Sequence, residues 1–530
     1  MAVKTKVPVN VPGLSSFDKS AKNILTAKVG TIVPLLCKPI IPRSRGSLKL
    51  AISAALPPLA SDTFMRCDLK VEAFFVPMRL LYGGFESWLT GKKLYDYNTS
   101  TEKVCEMPRI AIGESSWNSS LPYMSPGTLL DYLDCRVDTS AAPSVGSPDG
   151  YFNITKVLTY HRVYDDWYRN AKIQKPVFMP PIDPNFAKIP LSALPFVGSD
   201  NLNMISYWLS DTFADGHRLG ELRQRNWGDD YFSIATISPQ VGSAQAINTS
   251  GGSFTIAALR AGNSIQQFSE RSNLASPRLQ DYVKSHYGAD LSSGVAQRAV
   301  LLGSASYPVY SKGVEGNTTS TATNNPFTSI GARYGNAYAA GTDFICNFQS
   351  EEPGYLLVNA SLVPEACFSS GIDKEMRMFT GAGSQVDLPD PLLENVGNEP
   401  IYTTELDGQY GPGLGAVFGY VPRNTRHKCG INSVHGLLRN GQSLAAFAAQ
   451  RDFLGVGGLQ INDSFLRIPT TALDNVTAVT SALSNYGVWI DSYIDLKVSE
   501  PLVESAMPSL QDPAYEHGKT EWIQINGSRV

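Results

Sequence analysis

The sequence predicts a mainly β protein, a sandwich of antiparallel strands whose long loops carry short helices. Three observations support this. Short apolar runs such as LKVEAFF, DFICNF, YLLVNASLV and VWIDSYIDLKV read as alternating strands and are separated by Gly, Pro, Asn and Ser turns. Charged residues make up 17% of the 530, against about 25% in an average soluble domain, while Tyr and Phe number 24 and 22. A chain with so little charged surface is expected to bury much of its exterior against neighbours. No Ser/Gly-rich or charged linker divides the chain. One elaborated domain is therefore expected over 51–512, between a basic arm with the first strands at 1–50 and a tail at 513–530.

The first segment is set apart by charge. Residues 1–50 hold Lys4, Lys6, Lys19, Lys22, Lys28, Lys38, Arg43, Arg45 and Lys49 against Asp18 alone, a surplus of eight in a chain whose 44 basic and 48 acidic residues leave a net charge of −4. A basic arm on an acidic body can neutralise phosphates while the body stays clear of adventitious nucleic acid. The plainer alternative is a solvated tail.

Next comes FFVPMRLLYGGFESWL, residues 74–89. Val71, Ala73 and Phe75 alternate with Lys70, Glu72 and Phe74, and Pro77 ends the ladder by removing an amide donor. Leu81, Phe85, Trp88 and Leu89 then recur at spacings of three and four, an apolar stripe on a short helix. Phe75, Phe85 and Trp88 are expected to anchor the core. Further helices are expected at 160–172, 200–210, 255–271 and 277–287. In the third, Leu259, Ile265 and Phe268 supply the apolar face and Gly262 weakens the middle. Ser, Thr, Gly and Asn crowd residues 311–342, as in an exposed loop.

A second basic and aromatic patch holds Arg218, Arg223, Arg225, Trp227, Tyr231 and Phe232. Guanidinium groups could bind phosphates while rings stack on single-stranded bases. The favoured alternative puts Trp227 and Phe232 in the core and pairs the arginines with Glu221, Asp229 and Asp230.

Catalytic patterns are weak. GKT at 518–520 lacks the glycine of a phosphate loop, since position 513 is Pro. Gly411, Gly413 and Ala416 match a dinucleotide pattern interrupted by Pro412. His427, Cys429 and His435 form no convincing ligand set. Asp165 with Asp166, and Asp229 with Asp230, are adjacent pairs whose side chains diverge. The seven cysteines, an odd number without Cys-x-x-Cys, read as reduced thiols. The start, MAVKTKVPVNVP, has no apolar signal core, and no run is long enough to span a membrane. No cofactor is expected.

The block at 74–89 resembles one in the major capsid proteins of the microviruses, the small icosahedral single-stranded-DNA phages. Other blocks are similar in the same order over roughly 15–512. These are SSFDKS with VGTIVPL, RVYDDWYRNAKIQKP, LRQRNWGDDYFSIATISPQ, LQDYVKSHYG with AQRAVLLGSASYPV, VFGYVPRNTRHKCGINSVHGLLR, NDSFL, and WIDSYIDLKVSEPLVESAMPSL. The resemblance, closest to the gokushovirus-like branch, implies an eight-stranded viral jelly roll whose loops carry the helices. It implies a homo-oligomeric icosahedral T=1 shell around circular single-stranded DNA, made in the bacterial cytoplasm, with no enzymatic activity. It also implies an arm turned inward, with Lys4, Lys6, Lys19, Lys22, Arg43, Arg45, Arg223 and Arg225 as candidate DNA contacts. A minor pilot protein, a small basic DNA-binding protein and a host surface receptor are the further partners. The chain departs from the family at Pro77-Met78-Arg79-Leu80, where the second residue is usually Asn. Only Val241 to Ser253 stand where many relatives hold a long insertion, so no surface protrusion is carried over. The competing readings are a β-sandwich carbohydrate-binding protein or glycosidase, which needs two carboxylates facing each other across an aromatic cleft, and a nucleic-acid-binding protein that does not assemble.

Overall fold

The computed structural model describes residues 4–11, 13–91, most of 93–111, 126–135, 151–177, 220–239, 256–315 apart from 275–276, 333–377, 397–408, 416–502 apart from 480, and 519–526. The chain opens with strands β1 (Lys4–Val11), β2 (Ser15–Asp18), β3 (Ala21–Ala27), β4 (Val33–Ile40), β5 (Arg45–Ala55) and β6 (Cys67–Pro77). Short ribbons pair β7 (Leu94–Asp96) with β8 (Thr101–Lys103) and β9 (Arg109–Ala111) with β10 (Tyr151–Asn153). Then follow β11 (Val300–Pro308), β12 (Tyr310–Glu315), β13 (Arg333–Gln349) and β14 (Gly354–Pro364), a ribbon of β15 (Asn398–Tyr402) and β16 (Val417–Pro422), then β17 (Val488–Glu500) and β18 (Lys519–Asn526).

Two antiparallel sheets face each other. One runs β11-β6-β14-β4; the other runs β12-β13-β5-β17-β2, with β3 also on β17. Successive strands β3, β4, β5 and β6 fall in alternate sheets, so each connection crosses the sandwich. Leu48, Leu50 and Ile52 from β5, with Ile490, Ile494 and Leu496 from β17, meet Leu69 and Val71 from β6 and Leu356, Val358 and Leu362 from β14. Side chains two apart along a strand share a face, which is why every second residue of β17 is buried. The backbone of β1 pairs with that of β18, so the two chain ends form a ribbon.

The four-stranded sheet is covered on both sides. Its outer face carries Phe74, Val76, Tyr355 and Leu357, over which lie helix α2 (Thr155–Val163) and a π-helical turn (Tyr164–Tyr168). The Tyr160 hydroxyl donates to Ile32 O at 2.8 Å, and Trp167 Nε1 donates to Ala299 O at 2.9 Å. YLLVNASLV therefore does not alternate: all eleven residues of β14 are buried, as expected for a strand with apolar layers on both faces. Glu72 lies on that covered face. Its carboxylate accepts from Arg225 Nη1 and Nη2 at 2.8 and 2.9 Å and from the Tyr168 hydroxyl at 2.5 Å. Burial opposes the Arg225 charge, but the hydrogen bonds and charge of Glu72 outweigh it and hold the pKa above its ordinary value.

The corner after β6 forms as expected at Pro77, followed by a 3-10 turn and helix α1 (Phe85–Thr90). Phe85 is buried; Phe75 is half-buried, its ring fitting over Gly354, where a Cβ would come within 2.5 Å of it. Trp88, expected in the core, is 42% exposed, its ring centroid 5.9 Å from that of Phe85. Helices α3 (Ile256–Leu274) and α4 (Leu279–Tyr287) form, and Gly288 closes α4 in a left-handed conformation. Leu259, Ile265 and Phe268 do not make one apolar face. At 100° per residue Leu259 lies opposite Phe268, and all three are exposed. The helix expected at 200–210 lies outside the described residues, and the loop expected at 311–342 is strand at both ends, in β12 and β13, with only 316–332 outside the described residues.

Replacing Glu72 by Gln keeps the shape but leaves the Arg225 guanidinium without a counter-charge, so the subunit should lose about 3 kcal/mol. The shift of its denaturant midpoint measures this; a loss below about 1 kcal/mol would show the pair to be screened by solvent. Phe85→Ala should cost about 3 to 5 kcal/mol, and Trp88→Ala less than half as much. Equal losses in the two melting curves would contradict the placement of these rings.

Candidate nucleic-acid interface

Among the described residues, the second face of the six-stranded sheet carries exposed side chains. Side chains pointing away from the sandwich follow from the register: Trp489, Ala55, Tyr338 and Tyr310 lie side by side in one row, and Tyr493, Ala51 and Thr342 in another. Ala51, Ser53 and Ala55 therefore floor a trough along β5. Trp489 and Tyr493 wall one side, Tyr338 and Phe344 the other, each about half exposed. Two strand spacings make the trough about 10 Å wide. Tyr310 extends the aromatic wall, its ring 6.4 Å from that of Tyr338.

Basic groups gather on the same face. Lys49 stands beside Asp495 and Phe344 in the register, and Lys497 and Arg45 follow toward the end of the sheet. There Arg45, Lys497, Ser47 and Asn347 line an open basin of about 750 Å³ with Phe17 and Asp18. The acids are largely engaged: Asp491 pairs with Lys22 at 3.1 Å, Asp495 accepts from the Ser20 hydroxyl at 3.2 Å, and Asp18 accepts from Ser20. The hydrogen bonds from Ser20 hold the Asp18 carboxyl below its ordinary pKa. Cations and flat rings side by side suit a single-stranded polyanion.

The sequence candidates divide by burial. Lys22 and Arg45 lie exposed on this face, and Arg43 is exposed at the preceding turn with φ 66°. Lys4 and Lys6 are in the terminal ribbon, where their side chains lie outside the described residues. Lys19 is committed elsewhere: Nζ sits 2.7 Å from Glu500, a carboxylate that is 2% exposed. Arg223 is also 2% exposed, donating from Nε to His161 Nδ1 at 3.3 Å beneath the Tyr164 ring. Arg225 is bound to Glu72, 153 residues away. Neither arginine presents its guanidinium at the surface of the subunit. Trp227 and Phe232 are core, but the sequence-neighbour pairing does not describe Arg225, and Asp230 instead accepts from Phe232 N and Ser233 N in its own turn. The exposed rings were the missed signal. VWIDSYIDLKV places Trp489 and Tyr493 opposite Ile490 and Ile494, so two large rings on the non-core face were legible from the alternation alone.

The adjacent carboxylates are structural. Asp165 pairs with Arg169 at 2.5 Å, and Asp166 pairs with Arg162 at 2.9 Å and accepts from Ala299 N. Arg451 stands among the rings of Trp227, Phe465, Phe453 and Phe368, with its carbon 4.4 to 5.5 Å from their centroids. Burial there lowers its pKa to about 10.

A family described as Capsid protein (F protein) matches residues 5–254 and 218–510. Capsid protein VP1 of Chlamydia phage 1 is 22% identical over 616 residues, an alignment that takes in 96% of this chain and 97% of the relative. The matched spans include both sheets of the sandwich, the Tyr-rich helix and the Arg225 loop. The chain thus belongs to the phage F-protein capsid family, as a structural, non-enzymatic major capsid protein of the microvirus kind.

Proposed function

We propose that copies of this chain close an icosahedral T=1 shell of jelly-roll subunits around circular single-stranded DNA, with the open face of the six-stranded sheet turned toward the genome. The carrying observation is the aromatic trough with Lys49, Lys497 and Arg45 alongside it, in a chain whose net charge is negative. Of the sequence candidates Lys22, Arg43 and Arg45 fit this reading, and Lys4 and Lys6 stay candidates in the terminal ribbon; Lys19, Arg223 and Arg225 hold the subunit together instead. The jelly-roll reading is supported by strand order. Eight strands, β3, β4, β5, β6, β11, β13, β14 and β17, run as β3-β17-β5-β13 against β4-β14-β6-β11, the arrangement of two interlocked Greek keys. The basic arm with its first strands, the central domain and the tail would form one subunit, its ends tied by β1 and β18. Synthesis in the bacterial cytoplasm, a pilot protein, a small basic DNA-binding protein and a host receptor belong to the same reading.

An icosahedral subunit meets neighbours around several axes, so each copy should bury well over the roughly 1,600 Å² of one standard interface. Mass measurement on purified particles tests this: closed shells of uniform mass are expected, and a monodisperse monomer at high concentration would refute the shell. For the genome, changing Lys22, Arg45, Lys49 and Lys497 together to Gln should flatten the log–log salt dependence of single-stranded DNA binding by about 3 units, at roughly 0.7 per contact. An unchanged slope would place the DNA on another surface.

A further inference from the structure

We infer that the helical hairpin of α3 and α4 is an assembly element whose apolar surface is covered by a second copy of this chain. The inference rests on the shell reading above and assigns one of its contacts.

Among the described residues, the hairpin is anchored at its foot. Arg278, in the link between the helices, donates to the carbonyl oxygens of Asp165 and Asp166, and Arg298 donates to Asp166 O while lying 3.9 Å from the Trp167 ring centroid. These guanidinium groups cap the end of the π-helical turn. The helices meet through His286, whose ring lies 5.0 Å from Phe268 and 4.3 Å from Tyr282, with Nε2 3.1 Å from the Ser272 hydroxyl.

Beyond the foot, the apolar side chains stand exposed among the described residues. In α4, Leu279, Tyr282, Val283, His286 and Tyr287 recur at i, i+3, i+4, i+7 and i+8, the stripe of a helix that packs against something. Yet no residue of α4 is buried, and Tyr287 is 75% exposed. Ile265 and Phe268 share the side of α3 that meets α4, while Ile256 and Leu259 lie on the other, all exposed. A helix apolar on more than one side is normally enclosed. With Val295 just beyond α4, eight large apolar side chains are left open. At roughly 100 Å² each, about half of what a large side chain can bury, they come to about 800 Å² over the sides of the hairpin, an area equal to one partner's share of a standard interface. Monomers rarely expose so much, and a self-assembling coat protein supplies a second copy at the highest local concentration.

Two experiments on particles made from the complete viral genome test this. First, Ile265→Glu with Leu279→Glu should lower the yield of closed particles at least tenfold while the free subunit keeps its circular dichroism and melting temperature; Ile265→Val with Leu279→Met should leave the yield unchanged. Normal yield from the double Glu variant overturns the inference. Second, a photo-crosslinking amino acid at position 287 should join two copies of the chain in assembled particles. Crosslinks only within one chain, to DNA or to another virion protein overturn it, and this reading stands even if the Glu variant misfolds. Absence of closed particles from the wild type would instead remove the shell reading itself.

Discussion

The carboxylate of Glu72 is the point on which the layers depend. It sits on the covered face of β6, where an unpaired charge would be costly, and takes two hydrogen bonds from Arg225 and one from Tyr168. Three distant segments therefore converge on one group: the central strand, the Tyr-rich helical insertion and the loop that holds Trp227. Arg225 also reaches the Ser361 hydroxyl of β14 at 3.1 Å. Such a pair adds little over an apolar core of the same shape, but it tolerates one docking geometry. The insertion is thereby fixed in register on the sheet rather than merely stuck to it.

That docking makes the two sheets unlike each other. The four-stranded sheet becomes an inner layer, apolar on both faces, and β14 loses all alternation. Among the described residues the six-stranded sheet has no such cover and keeps a polar and aromatic outer face. A sandwich with one sealed and one open side has two different jobs available to it. The sealed side carries the long insertions, including the hairpin of α3 and α4, while the open side presents a regular array of rings and cations.

The low charge content has a matching explanation. The buried charges of Arg223 and Glu500 and the half-buried ones of Arg225 and Arg451 hold elements together, while large rings and aliphatic side chains such as Trp489, Tyr493, Tyr287 and Ile256 stand exposed. A chain of this kind is stable in isolation only where its exposed apolar groups are dispersed; gathered on one projection they favour association. Family membership and surface composition thus point to the same behaviour from independent observations.

Much of this was legible in the amino acids. Alternation in VWIDSYIDLKV marks β17 and its faces, and Pro77 marks the end of β6, because each is a local matter of side-chain period or backbone geometry. The ordered blocks identified the family. What only the tertiary structure decided was which polar groups were already spent. Lys19, Arg223 and Arg225 look like the other basic residues in the sequence, and each is consumed by a partner with no sequence proximity to it: Glu500, His161 and Glu72. Likewise Trp88 and Phe268 carry the periodicity of core residues but stand in the open, because a helix's apolar side is buried only if some other part of the assembly arrives to cover it, and no local pattern records whether that part belongs to the same chain.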